Sequence, residues 1–172
     1  MKSLRMTTTA TLLSRHSPAA SSRGRPLWDQ MRSAFDYSPV LETAVQHYGL
    51  DRAAAADLFD GLLQWLSAIP FAQPGQPIQQ VEAIDRLWHA FVLNTKLYRR
   101  FCDRFFGRYI DHDPLDRQFE ALSKKQYARF TLATLMAEFG AQLHPAFHDL
   151  TQRVGCCFGQ CDDGMVAGGA SP

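Results

Sequence analysis

The sequence predicts an all-α protein, a compact bundle of about five helices with disordered N- and C-terminal tails. Three observations predict it. Apolar residues recur at three- and four-residue spacing in successive segments. Glycine and proline punctuate the joins between those segments. No segment shows strand-like alternation.

The first helix follows Pro39, runs from Val40 to Tyr48, and has Gly49 to end it. Asp51 is a good N-cap for the second, which reaches Ser67 with Leu58, Leu62, Trp65, Leu66 and Ile69 in register. Pro70, Pro74, Gly75 and Pro77 then make a loop. The third helix spans Ile78 to Asn94, with Val81, Ile84, Trp88, Phe91 and Val92 as its stripe. Thr95 caps the fourth, where Tyr98, Phe101, Cys102 and Phe105 share a face and Gly107 closes it. Pro114 pushes Asp113 toward an extended conformation, so Tyr109 to Pro114 is not all helix. The fifth helix covers Ser123 to Phe139, with Leu132, Leu135, Met136 and Phe139 in register and Gly140 after it. A short turn follows Pro145.

The chain of 172 residues suits one domain with appendages. We divide it into a disordered basic leader (1–26), a helical domain (27–153) and a flexible Gly/Cys-containing tail (154–172). Lys2, Arg5, Arg15, Arg23 and Arg25 stand in a leader without acids. Its Ser, Thr, Ala and Arg content resembles a transit peptide; the plainer readings are disorder, or translation from Met6 or Met31. The remainder of the chain is mildly acidic, which argues against a phosphate-binding surface and so against a nucleic-acid partner. No run of about 18 apolar residues exists, so no membrane span is expected. Ala10 to Leu13 is too short and polar for a secretory core. The expectation is a soluble cytoplasmic protein in which a disulfide framework is not the default.

The chemistry-bearing residues gather between Asp85 and Pro114. Asp85 and His89 lie one helical turn apart on the border of the buried stripe. His112 returns after the next helix, with Asp111 and Asp113 beside it. Two imidazoles and a carboxylate with an open position suit a zinc ion in hydrolysis or ferrous-iron chemistry. The same pair could instead act as a base, Asp85 orienting His89. The plain reading is a set of satisfied polar groups that fix helix register. No catalytic residue is assigned, and whether the protein is an enzyme stays open. Trp88, Tyr98 and Cys102 read as core, with the Tyr98 hydroxyl reaching a partner. His144 and His148 read as surface residues, and His47 as a helix-end charge. Cys156, Cys157 and Cys161 form a second candidate set, for a soft metal or redox exchange; adjacent cysteines suit tetrahedral zinc poorly.

Asp85, Trp88, His89, Thr95, Tyr98, Phe101, Cys102, Phe106, Gly107, Ile110, His112 and Pro114 are spaced in a way that resembles the glycine-rich domain-containing protein-like family. The likeness covers about residues 60–140, and the Gly- and Cys-bearing tail is similar to that family's endings. It implies a helical domain in a short member. Some plant members carry an RNA-recognition segment; this chain does not. The resulting expectation is a small helical binding or accessory module with another protein as partner. The rival is a metal-dependent enzyme, hydrolase or ferrous-iron type, built on Asp85, His89 and His112.

Overall fold

Six helices account for most of the residues that the computed structural model describes, which are 23–72, 78–114, 124–150 and 154–159. They are α1 (Gly24–Ser33), α2 (Ser38–Tyr48), α3 (Arg52–Ala68), α4 (Glu82–Leu93), α5 (Thr95–Phe106) and α6 (Lys124–Phe139). Short 3-10 turns cover Ile69–Phe71, Gly140–Gln142 and Pro145–Asp149. The helical bundle is the one that the punctuation predicts. Asp51 caps α3, its Oδ1 accepting from the N–H groups of Ala53 at 2.8 Å and Ala54 at 3.1 Å. Gly49 and Gly107 end α2 and α5 with φ of 63° and 67°, a region that favours glycine.

Helix α3 is the hub. Leu62, Trp65, Leu66 and Ala68 are fully buried, and Gln64 and Ser67 are buried with them, so its C-terminal half is covered on every side. α1, α2, α4 and α6 pack around it. Beside it lies an aromatic cluster: the rings of Tyr37 and Phe59 stand 4.8 Å apart, those of Phe91 and Phe101 5.1 Å, and those of Trp65 and Trp88 4.9 Å.

Several expectations need correction. Gly24–Ser33 is helical, whereas the sequence reading starts its first helix at Val40 and assigns residues 24–26 to a disordered leader. A distant residue holds it: Glu138 on α6 accepts from the N–H groups of Arg23 at 2.8 Å and Gly24 at 2.6 Å. Met31 is a fully buried residue of this helix. Ile78–Val81 does not begin the third predicted helix; it is strand β1. All four of its residues are buried, so no alternation betrays it. Met136, placed on the apolar stripe of α6, is 47% exposed.

The bundle also carries a small antiparallel sheet. Its strands are β1, β2 (Asp113–Pro114) and β3 (Val154–Gly159), in the order β1-β3-β2. Residues 154–159, assigned by composition to the start of a flexible tail, therefore supply the central strand. Ile78 pairs with Gly159 and Val81 with Val154; Asp113 pairs with Phe158 and Pro114 with Cys157. The sheet links two segments that carry polar chemistry. β1 runs straight into α4, and β2 begins one residue after His112, so a single strand braces both. Leader residues 1–22, the tail beyond Gly159 and Cys161 lie outside the described residues. Among the described residues, no helix is long and apolar enough to cross a membrane.

Candidate metal centre

Helix α4 starts from the extended Val81 and carries Glu82 and Asp85 in its first turn, where the helix dipole favours negative charge. Its apolar face is Ile84, Leu87, Trp88 and Phe91. Asp85 and His89 border that face, one turn apart. α5 then turns the chain back, Gly107 closes it, and Ile110, at 1% exposure, anchors the return against the core. That return brings His112 to α4.

Asp85, His89 and His112 converge: each offers one ligand atom, and the three atoms lie within 4.8 Å of one another. His112 Nε2 is 3.2 Å from Asp85 Oδ1, and His89 Nε2 is 3.8 Å from Asp85 Oδ2. Ligand atoms about 2.0–2.2 Å from a tetrahedral ion sit about 3.3–3.5 Å from each other. The Asp85–His112 distance matches that spacing, whereas His89 is wider at 3.8 Å and the set spans up to 4.8 Å, so the side chains would have to draw together around an ion. The imidazole rings of His89 and His112 are 4.3 Å apart, and His112 lies against the Trp88 ring at 4.2 Å. Burial is graded. The Asp85 side chain is 5% exposed and that of His112 11%, whereas His89 is 38% exposed, so solvent reaches the cluster over His89.

The short Asp85–His112 contact is not an aligned hydrogen bond. His112 Nε2 is buried and has no hydrogen-bond partner. Burial pushes the His89 pKa down, Asp85 pulls it partly back, and His112 pushes it down again. That balance favours the neutral imidazole, the form that binds metal. Tyr48, on α2, senses the site too. Burial raises its hydroxyl pKa, and the Asp85 charge raises it further.

The walls are tied by hydrogen bonds. Trp88 Nε1–H donates to the Tyr98 hydroxyl at 2.9 Å, and Tyr98 donates to the Ile110 carbonyl at 2.7 Å. Trp65 Nε1–H donates to the Gln79 carbonyl on β1 at 3.1 Å. Trp88, Tyr98 and Cys102 are fully buried, as their helical spacing predicts. Spacing could not reveal that Tyr98 joins α4 to the loop that carries His112.

The other candidates fare differently. Asp111 is exposed and stands outside the cluster. Cys156 and Cys157 fall on β3. His148 is exposed, as expected. His144 is not a surface residue: it is 7% exposed, its Nδ1 accepts from the Ala146 N–H at 3.2 Å, and its Nε2 lies 3.2 Å from Asp57. Close packing against Gly61 explains the burial, since a Cβ there would meet the His144 ring at 3.0 Å. His144 caps the Pro145–Asp149 turn.

Fold and cluster together define a small helical protein with an Asp–His–His constellation at a helix–loop junction. A family profile described as UCP032817-like matches residues 29–138, more than half of the chain, and the protein belongs to that family. The glycine-rich domain-containing protein-like family suggested by the motif spacing is thereby corrected. Half of the twelve spaced residues behind that resemblance, among them Trp88, Tyr98, Phe101 and Cys102, are packing positions. A helical core can place such residues without common descent. No curated relative and no solved structure matches the chain.

Proposed function

We propose that this protein binds one divalent transition-metal ion, zinc or ferrous iron, through Asp85, His89 and His112. The convergence of three ligand atoms within 4.8 Å carries the reading. The donor set is one carboxylate and two imidazoles, which leaves coordination positions for water or substrate. Exposure of His89 gives those positions access to solvent. Bound there, the ion would supply Lewis-acid or redox chemistry. Asp85 would supply charge, and the two adjacent, mutually tilted imidazoles would fix the coordination face.

The test is elemental analysis of the full-length protein purified without a histidine tag. About one equivalent of zinc or iron is expected, lost in both His89→Ala and His112→Ala while the helical circular dichroism persists. A wild-type protein that takes up neither metal, even after reconstitution with zinc or with ferrous iron under argon, overturns the reading. The 3.2 Å Asp85–His112 contact favours a second reading. In it the pair is an ion-paired brace, and the protein is a binding or accessory module for another protein. A metal-free wild type would select that one.

A further inference from the structure

We infer that Tyr98 is the positioning residue of the centre: its hydroxyl holds His112 in ligand geometry from two sides at once. The inference rests on the metal reading of Asp85, His89 and His112. Tyr98 is fully buried on α5 and touches none of the three directly by hydrogen bond. Its hydroxyl accepts from Trp88 Nε1–H at 2.9 Å, which sets the plane of the indole. That indole is the surface on which the His112 ring rests, 4.2 Å away and tilted by 53°. The same hydroxyl donates to the Ile110 carbonyl at 2.7 Å, two residues before His112. One oxygen therefore fixes both the wall behind the imidazole and the backbone that delivers it. Trp65, 4.9 Å from Trp88, limits the indole from the other side. His112 Nε2 makes no hydrogen bond, so no such bond to that nitrogen holds the ring in place. Groups of this kind behind a ligand typically change metal affinity by about 10–100-fold.

Cobalt(II) is the probe, titrated into the full-length metal-free protein and followed by visible absorption. Tyr98→Phe keeps the ring and removes both hydrogen bonds. Tyr37→Phe is the matched control: its buried hydroxyl donates to the Met31 carbonyl at 2.6 Å in the same core, away from the centre. Tyr98→Phe is expected to weaken cobalt binding about 10–100-fold and to alter the band shape. Tyr37→Phe is expected to lower thermal stability but leave affinity and spectrum unchanged. Should Tyr98→Phe fail to fold, Trp88→Phe removes the same indole donor and is expected to weaken binding in the same direction. Unchanged cobalt affinity and spectrum in Tyr98→Phe, or equal losses in both tyrosine variants, overturn the positioning role and leave the centre standing. No cobalt binding by the wild type overturns the centre itself, and the inference with it.

Discussion

Replacing Asp85 with Asn separates the centre from the scaffold. The amide keeps the shape of a side chain that is only 5% exposed, and it removes the charge. The metal-free variant should then lose about 1–2 kcal/mol at most, the scale of one altered buried hydrogen-bonding group. With metal the difference is larger. At free zinc 100-fold above its dissociation constant, the wild type gains about 2.7 kcal/mol. For a chain of this size that raises the melting temperature by roughly 5–11 °C. Structural zinc sites with four ligands yield about 10–16 kcal/mol, so the charged ligand is worth about 3 kcal/mol, or roughly 100-fold in affinity. At the same zinc concentration the variant is about half-occupied and gains only ~0.4 kcal/mol, roughly 1–2 °C. Differential scanning fluorimetry with and without zinc, and with ferrous iron under argon, reads this directly. An Asp85→Asn protein that keeps the wild-type shift refutes Asp85 as a ligand. A wild type that shifts with neither metal refutes the centre.

Glu138→Ala removes the acceptor for the Arg23 and Gly24 N–H groups and should cost about 2–4 kcal/mol; hydrogen exchange should show α1 losing protection first, and uniform loss would refute the capping role. Gly61→Ala places a Cβ 2.7 Å from Ile84 Cδ1 and should destabilise by about 1–3 kcal/mol in urea titration, with an unchanged midpoint as the refuting result. Burial raises the hydroxyl pKa values of Tyr37 and Tyr98 above the ordinary value. The unfolded chain therefore releases these protons first, so their contribution is intact below about pH 10 and is lost as pH rises beyond it; a urea midpoint that stays constant from neutral to strongly alkaline pH would contradict this. Deleting residues 151–172 removes β3, the only strand to which β1 and β2 pair among the described residues. Zinc affinity should fall about tenfold or more, whereas equal affinity in the shortened chain would show that the sheet does not support the centre.

Much of this structure follows local rules, and the exceptions share a cause. The Asp51 cap, the glycines after α2 and α5, and the core positions of Trp65, Trp88, Tyr98 and Phe101 each depend on residues a few positions apart, so periodicity finds them. Helix α1 depends on Glu138, more than a hundred residues away, for its N-terminal N–H groups. β1 is covered on both faces, and its strand partner lies in a segment whose composition reads as tail. His144 is buried because Gly61 leaves room for it, which no spacing between the two can show. The cluster itself was half legible. The four-residue step from Asp85 to His89 places two groups on one helical edge. The arrival of His112 depends on the α5 turn and the Ile110 anchor, which sequence could suggest but not measure.

In the proposed centre the trio would present one carboxylate and two imidazoles to a single divalent ion. One carboxylate faces two imidazoles whose rings are 4.3 Å apart. Burial disfavours the charged form of His89, the Asp85 charge offsets part of that, and His112 adds to it. A divalent ion would be held there by the Asp85 carboxylate and the two imidazoles, and would satisfy the otherwise unbonded His112 Nε2. The scaffold keeps His89 toward solvent and Asp85 and His112 beneath it, so coordination positions left over would open on the side that a water or substrate can reach.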